Sequence, residues 1–443
     1  MPSAPILWKK LQASQRLNPT PVMDSYNISE DATELFRQRL QNQIATAAKR
    51  FAKTAARSLD ALSGSLIYKD VKSSAGRHAA LITELFRNAH FISNSGSLDT
   101  TSLQHRLMGI LSGDQKLVFE LGWGQAKRDA GQLRTPGASA DLAELLAIAR
   151  LISVVKAIEL LTERRVKFRV ITGGQRFRLA LFIRAEMDAA YNMKRQAFAR
   201  WLSSDTEIEF DTIKSYWSQE EIKARLEADE SHGTAPHLTE EDFRFAFFAI
   251  DWYGVLEQGN AHDMHLPSSI TEALKAQPPA VKTDFIRSVI ALTANPAIDI
   301  GVVNPPLPHE LLRVASDWFC EVARISADLY IRLGRITPRN PRESAHSDCP
   351  LLLTVIEKAE RPDIPCIQLL GRRYGRTLPQ HLTGCLQAGG NVSFESLYLI
   401  EGAIASFHIP ELSDAPLGVT TLPEADAITG LSRIHLFEDV ELS

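Results

Sequence analysis

"VKFRVITGGQRF", residues 166–177, decides the fold. Val166, Phe168 and Val170 alternate with Lys167 and Arg169, the period-two pattern of a half-buried strand. Gly173 and Gly174 then break the pattern, and "QRFRLALFIRAEMDAAYNMKRQAFARWL" reads as one long helix. Upstream, "QKLVFELGW" (115–123) is a strand candidate. It is followed by a loop rich in glycine, proline and small polar residues, and then by a helix from Ser139, "SADLAELLAIARLISVVKAIELL". That helix is apolar around most of its circumference, as a helix between two layers would be. Downstream, "TEIEFDTI" (206–213) is a further strand. Strands and helices alternating at these lengths predict an α/β fold with a Rossmann-like, mostly parallel sheet.

Working outward, residues 1–30 are polar and proline-punctuated and read as a loose arm. Phe36, Leu40, Ile44, Ala47, Phe51, Ala55, Leu59 and Leu62 then recur every three or four positions. This is one face of a long amphipathic helix, with Arg37, Arg39, Lys49, Arg50, Lys53 and Arg57 on its other positions. "RHAALITELFRNAHFI" (77–92) reads as a second helix. Residues 1–105 are therefore expected to form an N-terminal arm and helical extension, and 106–443 an α/β domain. Within the latter, 216–340 is expected to be mainly helical and 350–443 β-rich, short strands forming an antiparallel meander added to the sheet or a small β-rich lobe. The aromatic knot "FRFAFFAIDWYGV" (243–255) reads as core.

The 443 residues suffice for a large core. With 44% hydrophobic and 23% charged residues the composition is that of a globular protein, and a net charge of -4 argues against a nucleic-acid partner. Cys320, Cys349, Cys366 and Cys385 are too sparse for a disulfide framework, so reduced thiols in a cytoplasmic protein are expected. The first 21 residues lack the apolar run of a signal peptide. No stretch approaches the roughly 20 apolar residues of a membrane span, so no integral membrane association is expected. The oligomeric state is not legible.

Glycines between a strand and a helix can admit an anion to the helix N-terminus. Gly173-Gly174 occupies such a place, although neither the dinucleotide fingerprint nor the Walker lysine is present. "GWGQAKRD" (122–129) puts Trp123, Lys127 and Arg128 just past a strand's carboxyl end, where open α/β sheets bind ligands. Lysine offers a point charge and arginine a fork for phosphate or carboxylate; the plain alternative is a solvated loop tip. His262 and His265 in "HDMH" lack further metal ligands at a recognisable spacing, and His346 has no assignment. His381 in "LPQHLTGC" precedes an apolar strand and is placed for proton transfer, unless it is only a hydrogen-bonded edge residue. A nucleophile elbow and the kinase motifs are both absent.

Read in order, these motifs resemble the pyoverdine/dityrosine biosynthesis family, which includes the isocyanide synthases. Lys127 stands in the loop after the first strand, and Asp141 and Glu144 in "ADLAELLA" match that family's helix start. "VITGGQRF" matches its turn, with Thr172, Gly174 and Phe177 in register, and "LPQHLTG" matches its histidine segment through His381. The resemblance covers about a third of the chain, roughly 110–215 and 350–405. Gly173 replaces the family's aspartate and Gln380 the tryptophan before its histidine, which puts substrate identity in question.

The resemblance implies a transferase of secondary-metabolite biosynthesis. It would join an amino acid's amine to the ketone of a sugar phosphate, ribulose 5-phosphate, on the way to an isocyanide. His381 and Lys127 would be catalytic, with Arg128, Trp123, Thr172, Gly173 and Gly174 contacting substrate and Lys127 and Arg128 anchoring phosphate. No cofactor and no metal is expected for that step. Two alternatives stand beside it: a different transferase or lyase on the same scaffold, and a non-catalytic scaffold protein that docks a partner through the basic helix 36–62.

Overall fold

Val166–Thr172 is a strand inside a four-stranded parallel sheet. The computed structural model describes residues 3–14, 22–62, 73–87, 91–113, 116–124, 127, 133–172, 175–212, 218–232, 237–298, 307–336, 351–355, 362–371, 378–400, 403–413, 415–422 and 429–436. Its strands are β1 Val22–Asn27, β2 Leu117–Gly124, β3 Val166–Thr172, β4 Glu207–Thr212, β5 Asn260–Ala261 and β6 Met264–His265. They continue with β7 Leu351–Thr354, β8 Thr383–Leu386, β9 Val392–Glu395, β10 Ile404–His408 and β11 Gly418–Thr420. The helices are α1 Ser3–Ala13, α2 Glu30–Leu62, α3 Ser74–Phe86, α4 Thr100–Leu111, α5 Leu142–Thr162, α6 Gln175–Leu181 and α7 Ala185–Leu202. After these come α8 Gln219–His232, α9 Glu240–Ala249, α10 Trp252–Gln258, α11 Ser268–Leu274, α12 Pro279–Ala294 and α13 His309–Ile336.

The parallel sheet runs β4-β3-β2-β7. The first three strands wind outward in one direction and the fourth lies on the other side of β2, the start of a doubly wound sheet. Register aligns Gly124 with Thr172, and Thr172 with Thr212, so these residues share the carboxyl edge. A register shift between Gly122 and Gly124 makes Trp123 the bulged residue at the end of β2. Buried inward residues alternate with half-exposed Lys167, Arg169 and Ile171 along β3, as period two requires.

α5 follows β2 and packs against α2, α7, β3 and β8, which is why so little of its surface is polar. Phe36, Leu40, Ile44, Ala47, Phe51, Ala55 and Leu59 of α2 are all buried in its own protein. The apolar face that a lipid surface would need is thereby occupied. A second apolar cluster joins α1, α6 and α9 to α13, with the aromatic knot at its centre. Trp252 stacks on Phe319 there at 3.9 Å, so the knot is core.

Four expectations need correction. The segment 1–30 is more than a loose arm. Trp8 of α1 packs edge-on against Phe243, Phe247 and Phe248, and β1 pairs with β10 in parallel. "LLLT" (351–354) belongs to the parallel sheet as β7, pairing with β2 and burying Leu351 and Leu353. The remaining C-terminal strands form a mixed sheet, β1-β10-β11-β8-β9, in which β10/β11 and β8/β9 are antiparallel but β11/β8 is parallel. The long helix expected after the glycine turn is broken in two at Phe182, whose φ is +57°. Among the described residues no helix is long and apolar enough to cross a membrane.

Candidate functional site

A buried charge cluster lies at the carboxyl edge of the parallel sheet. Asp141 caps α5 by accepting from the Ala143 N–H at 2.8 Å, and Glu144 Oε2 accepts from the Asp141 N–H at 2.8 Å. This capping box also carries the cluster's charge. Lys127 Nζ lies 2.9 Å from Asp141 Oδ1 and 2.8 Å from Glu144 Oε2, with no exposure of its own. Thr383 donates to Asp141 Oδ2 at 2.8 Å, and the Tyr191 hydroxyl donates to Glu144 Oε1 at 2.8 Å. Elements from β2 to β8 thus converge on two carboxylates.

Burial, reinforced by the charge of Glu144 and opposed by Lys127, pushes the Asp141 carboxyl up to about 7. Burial works on Glu144 in the same sense, but Lys127 and the N–H of Asp141 outweigh it and hold its carboxyl below the ordinary range. Burial and the charge of Glu144 drive the Tyr191 phenol well above its usual value. The pair therefore divides into one acid poised near neutrality and one fixed anion.

α7 supplies what the sequence reading missed. Asp188, Tyr191, Asn192, Lys194 and Arg195 are all buried on its inner side. Lys194 Nζ has no hydrogen-bond partner among the described residues and sits 5.6 Å over the Phe198 ring. Desolvation lowers its ammonium to about 8, against the pull of Asp141 and Glu144. Asn192 donates to Thr172 Oγ1 at 3.2 Å, and Thr172 in turn donates to the Asp211 carbonyl at 3.0 Å. The available signal was a polar residue at every turn of an otherwise apolar stripe: Asp188, Asn192 and Arg195 interleaved with Tyr191, Phe198 and Leu202.

Of the residues singled out from sequence, Lys127, Thr172, Trp123 and His381 all lie at or beside this edge, and all are buried. Lys127 is not the solvated loop tip of the plain alternative: it is wholly buried, with its ammonium against two carboxylates. Trp123 Nε1 donates to Gln380 Oε1 at 2.9 Å, and Gln380 Nε2 donates back to the Trp123 carbonyl at 3.0 Å. His381 ends a 3-10 turn, Pro379–His381, and its carbonyl accepts from Arg134 Nη2 at 3.2 Å. Arg128, Gly173, Gly174 and His346 lie outside the described residues, as does the Phe177 side chain.

The "HDMH" segment forms a tight hairpin. His262 and Asp263, with φ of +48° and +66°, make the two-residue turn between β5 and β6. His262 Nε2 is 2.9 Å from Ser326 Oγ, and burial takes its imidazole down to about 4. No group of three or more metal-ligating side chains occurs among the described residues.

No family model matches the chain, and no curated protein matches it. Among solved structures the chain has a distant resemblance to the PvcA protein from Pseudomonas aeruginosa. The TM-score is 0.38 at 16% sequence identity, over 74% of this chain and 91% of that one.

Proposed function

We propose that the chain is a small-molecule biosynthetic enzyme, isocyanide synthase-like, that joins an amino acid's amine to the ketone of a sugar phosphate such as ribulose 5-phosphate. The observation that carries this reading is convergence. Trp123, Lys127, Asp141, Glu144, Thr172 and His381 were singled out from separate segments. They gather at one sheet edge through the Lys127 ion pairs, the Trp123–Gln380 bonds and the Thr383–Asp141 bond. A scaffold protein has no need to gather such groups around a buried acid and an unpaired lysine.

The first step would be attack of the amine on the ketone carbon, then loss of water to the imine. It needs one group to take a proton from the attacking nitrogen and another to protonate the departing hydroxyl. Lys194, lowered to about 8, and Asp141, raised to about 7, have proton affinities suited to such transfers near neutral pH. Lys127 acts by holding Glu144 ionised beside them. His381 is the histidine the resemblance assigns to proton transfer, and Thr172 lies where it can orient substrate. Trp123 shapes the wall with Gln380. Arg128, Gly173 and Gly174 keep their proposed substrate contacts through the resemblance alone.

The test is thermal unfolding with ribulose 5-phosphate, against ribose 5-phosphate, inorganic phosphate and NAD, followed by mass spectrometry of incubations with amino acids. A ligand at 100 times its Kd adds about 2.7 kcal/mol to native stability. Selective stabilisation by the ketose phosphate and an isocyanide product are expected. If neither appears with any amino acid present, the reading fails.

A further inference from the structure

Arg195 is wholly buried in α7. Three aromatic rings enclose its guanidinium, with centroids 4.4 Å (Tyr191), 4.8 Å (Phe210) and 5.1 Å (Trp123) from Cζ. Nη2 donates to Asn192 Oδ1. Nε and Nη1 are equally shut off from solvent and find no acceptor among the described residues. Asp188 and Glu144 act on the group through space, yet neither accepts from those two nitrogens. Rings cover the faces of a guanidinium and leave its rim of N–H donors for an oxyanion. Arginine cannot escape the cost of unmet donors by losing its proton, so the arrangement costs stability until something meets them.

The location is as informative as the contacts. Trp123 is at the end of β2, Phe210 is in β4, and Asn192 bonds to Thr172, the last residue of β3. The guanidinium therefore sits beside the carboxyl-terminal parts of β2 and β4, next to the Asn192–Thr172 bond at the end of β3 between them, near the edge at which open α/β sheets take ligands. Lys127, Lys194 and Arg195 stand among Asp141, Glu144 and Asp188, and burial shifts Asp141 toward its neutral form, which favours an incoming anion.

We propose that Arg195 is the oxyanion anchor of this site, holding a carboxylate or phosphate oxygen on its open N–H groups inside the aromatic cage. The proposal deepens the functional reading above and rests on it for the two sources of that oxyanion: the amino-acid substrate and the sugar phosphate.

The full chain is compared with Arg195→Met and Arg195→Lys by thermal unfolding against inorganic phosphate, glycine and ribulose 5-phosphate. The unsubstituted protein is expected to be stabilised by at least one of them. Response to phosphate and the ketose phosphate identifies a phosphate subsite; response to glycine alone identifies a carboxylate subsite. Arg195→Met should bind at least tenfold more weakly and, without ligand, unfold at the same temperature or higher, because an unmet buried charge has gone. Arg195→Lys, which keeps charge without the fork, should fold and also bind at least tenfold more weakly. It decides the matter if the methionine variant does not fold. A lower unfolding temperature for Arg195→Met with undiminished ligand response would make Arg195 a packing residue and overturn the proposal, as would the absence of any response in the unsubstituted protein. Isocyanide formation by Arg195→Met at the full rate would sink the anchor alone. Anion binding through Arg195 without isocyanide would sink the functional reading alone.

Discussion

Gln380 and Trp123 hold each other by two reciprocal hydrogen bonds across 257 positions of sequence. The glutamine stands where the resemblance would place a tryptophan, and it tethers the His381 turn to the end of β2. Gly124 makes this possible. Its φ is +94°, and a Cβ there would come within 2.6 Å of the Gln380 amide nitrogen.

Gly124→Ala should therefore destabilise the fold by about 2–3 kcal/mol, from backbone strain and the displaced amide together. Gln380→Ala alone measures the loss of the two hydrogen bonds, and adding Gly124→Ala to it should cost the backbone strain without the clash. Urea midpoints of the three variants separate these parts; equal costs of Gly124→Ala with and without Gln380 would mean that strain alone is at work.

Lys127→Met leaves Asp141 and Glu144 buried without their cation. Breaking such a cluster from one side costs about 3–5 kcal/mol, and chemical denaturation should show a loss of that size. A solvated loop lysine would show less than about 0.5 kcal/mol.

The two perturbed groups give stability opposite pH slopes. Asp141 is raised from 3.8 to about 7, so between those values the native state binds more protons than the unfolded chain, and this contribution falls as pH rises. Lys194 is lowered from 10.5 to about 8, so between 8 and 10.5 the unfolded chain binds more protons and the contribution rises with pH. Asp141→Asn should flatten the acid-side slope, and Lys194→Met the alkaline one by roughly 3 kcal/mol in all. Unfolding free energies from pH 4 to 10 read both. An unchanged alkaline slope in Lys194→Met would show that Lys194 titrates normally.

Trp8→Ala should cost about 3–5 kcal/mol, because Trp8 is a buried ring among Phe243, Phe247 and Phe248 with Arg244 over its face. Hydrogen exchange should speed up in α9 and α13 before β2 and β3. Uniform acceleration would mean that the two apolar clusters open together.

What could be read from sequence followed local patterning. Alternation marked β3, and Asp141 with Glu144 marked the start of α5. What could not be read depended on distant partners. β1 is polar and short, and only its pairing with β10 makes it a strand. β7 is an apolar run that fits a meander as well as a parallel sheet until its neighbour β2 is known. Lys194 and Arg195 look like the solvated side of a helix, because sequence period does not say which polar residue turns inward. Trp123, Lys127, Thr172 and His381 were found as types at strand ends. That two carboxylates take up the Lys127 ammonium depends on where the chain folds back.

The parallel pairing of Val22 with Ile404 sets a timetable for synthesis. While the ribosome is still making the first several hundred residues, β1 has nothing to pair with, and its backbone donors and acceptors stay with water or a chaperone. The β2-β3-β4 core can assemble early, but the last sheet closes only when both ends of the described chain are present. Such late, long-range closure is the slow step expected of a high-contact-order topology. A stalled or C-terminally shortened product would therefore leave β1 unpaired, and quality-control proteases could recognise it by that exposed strand.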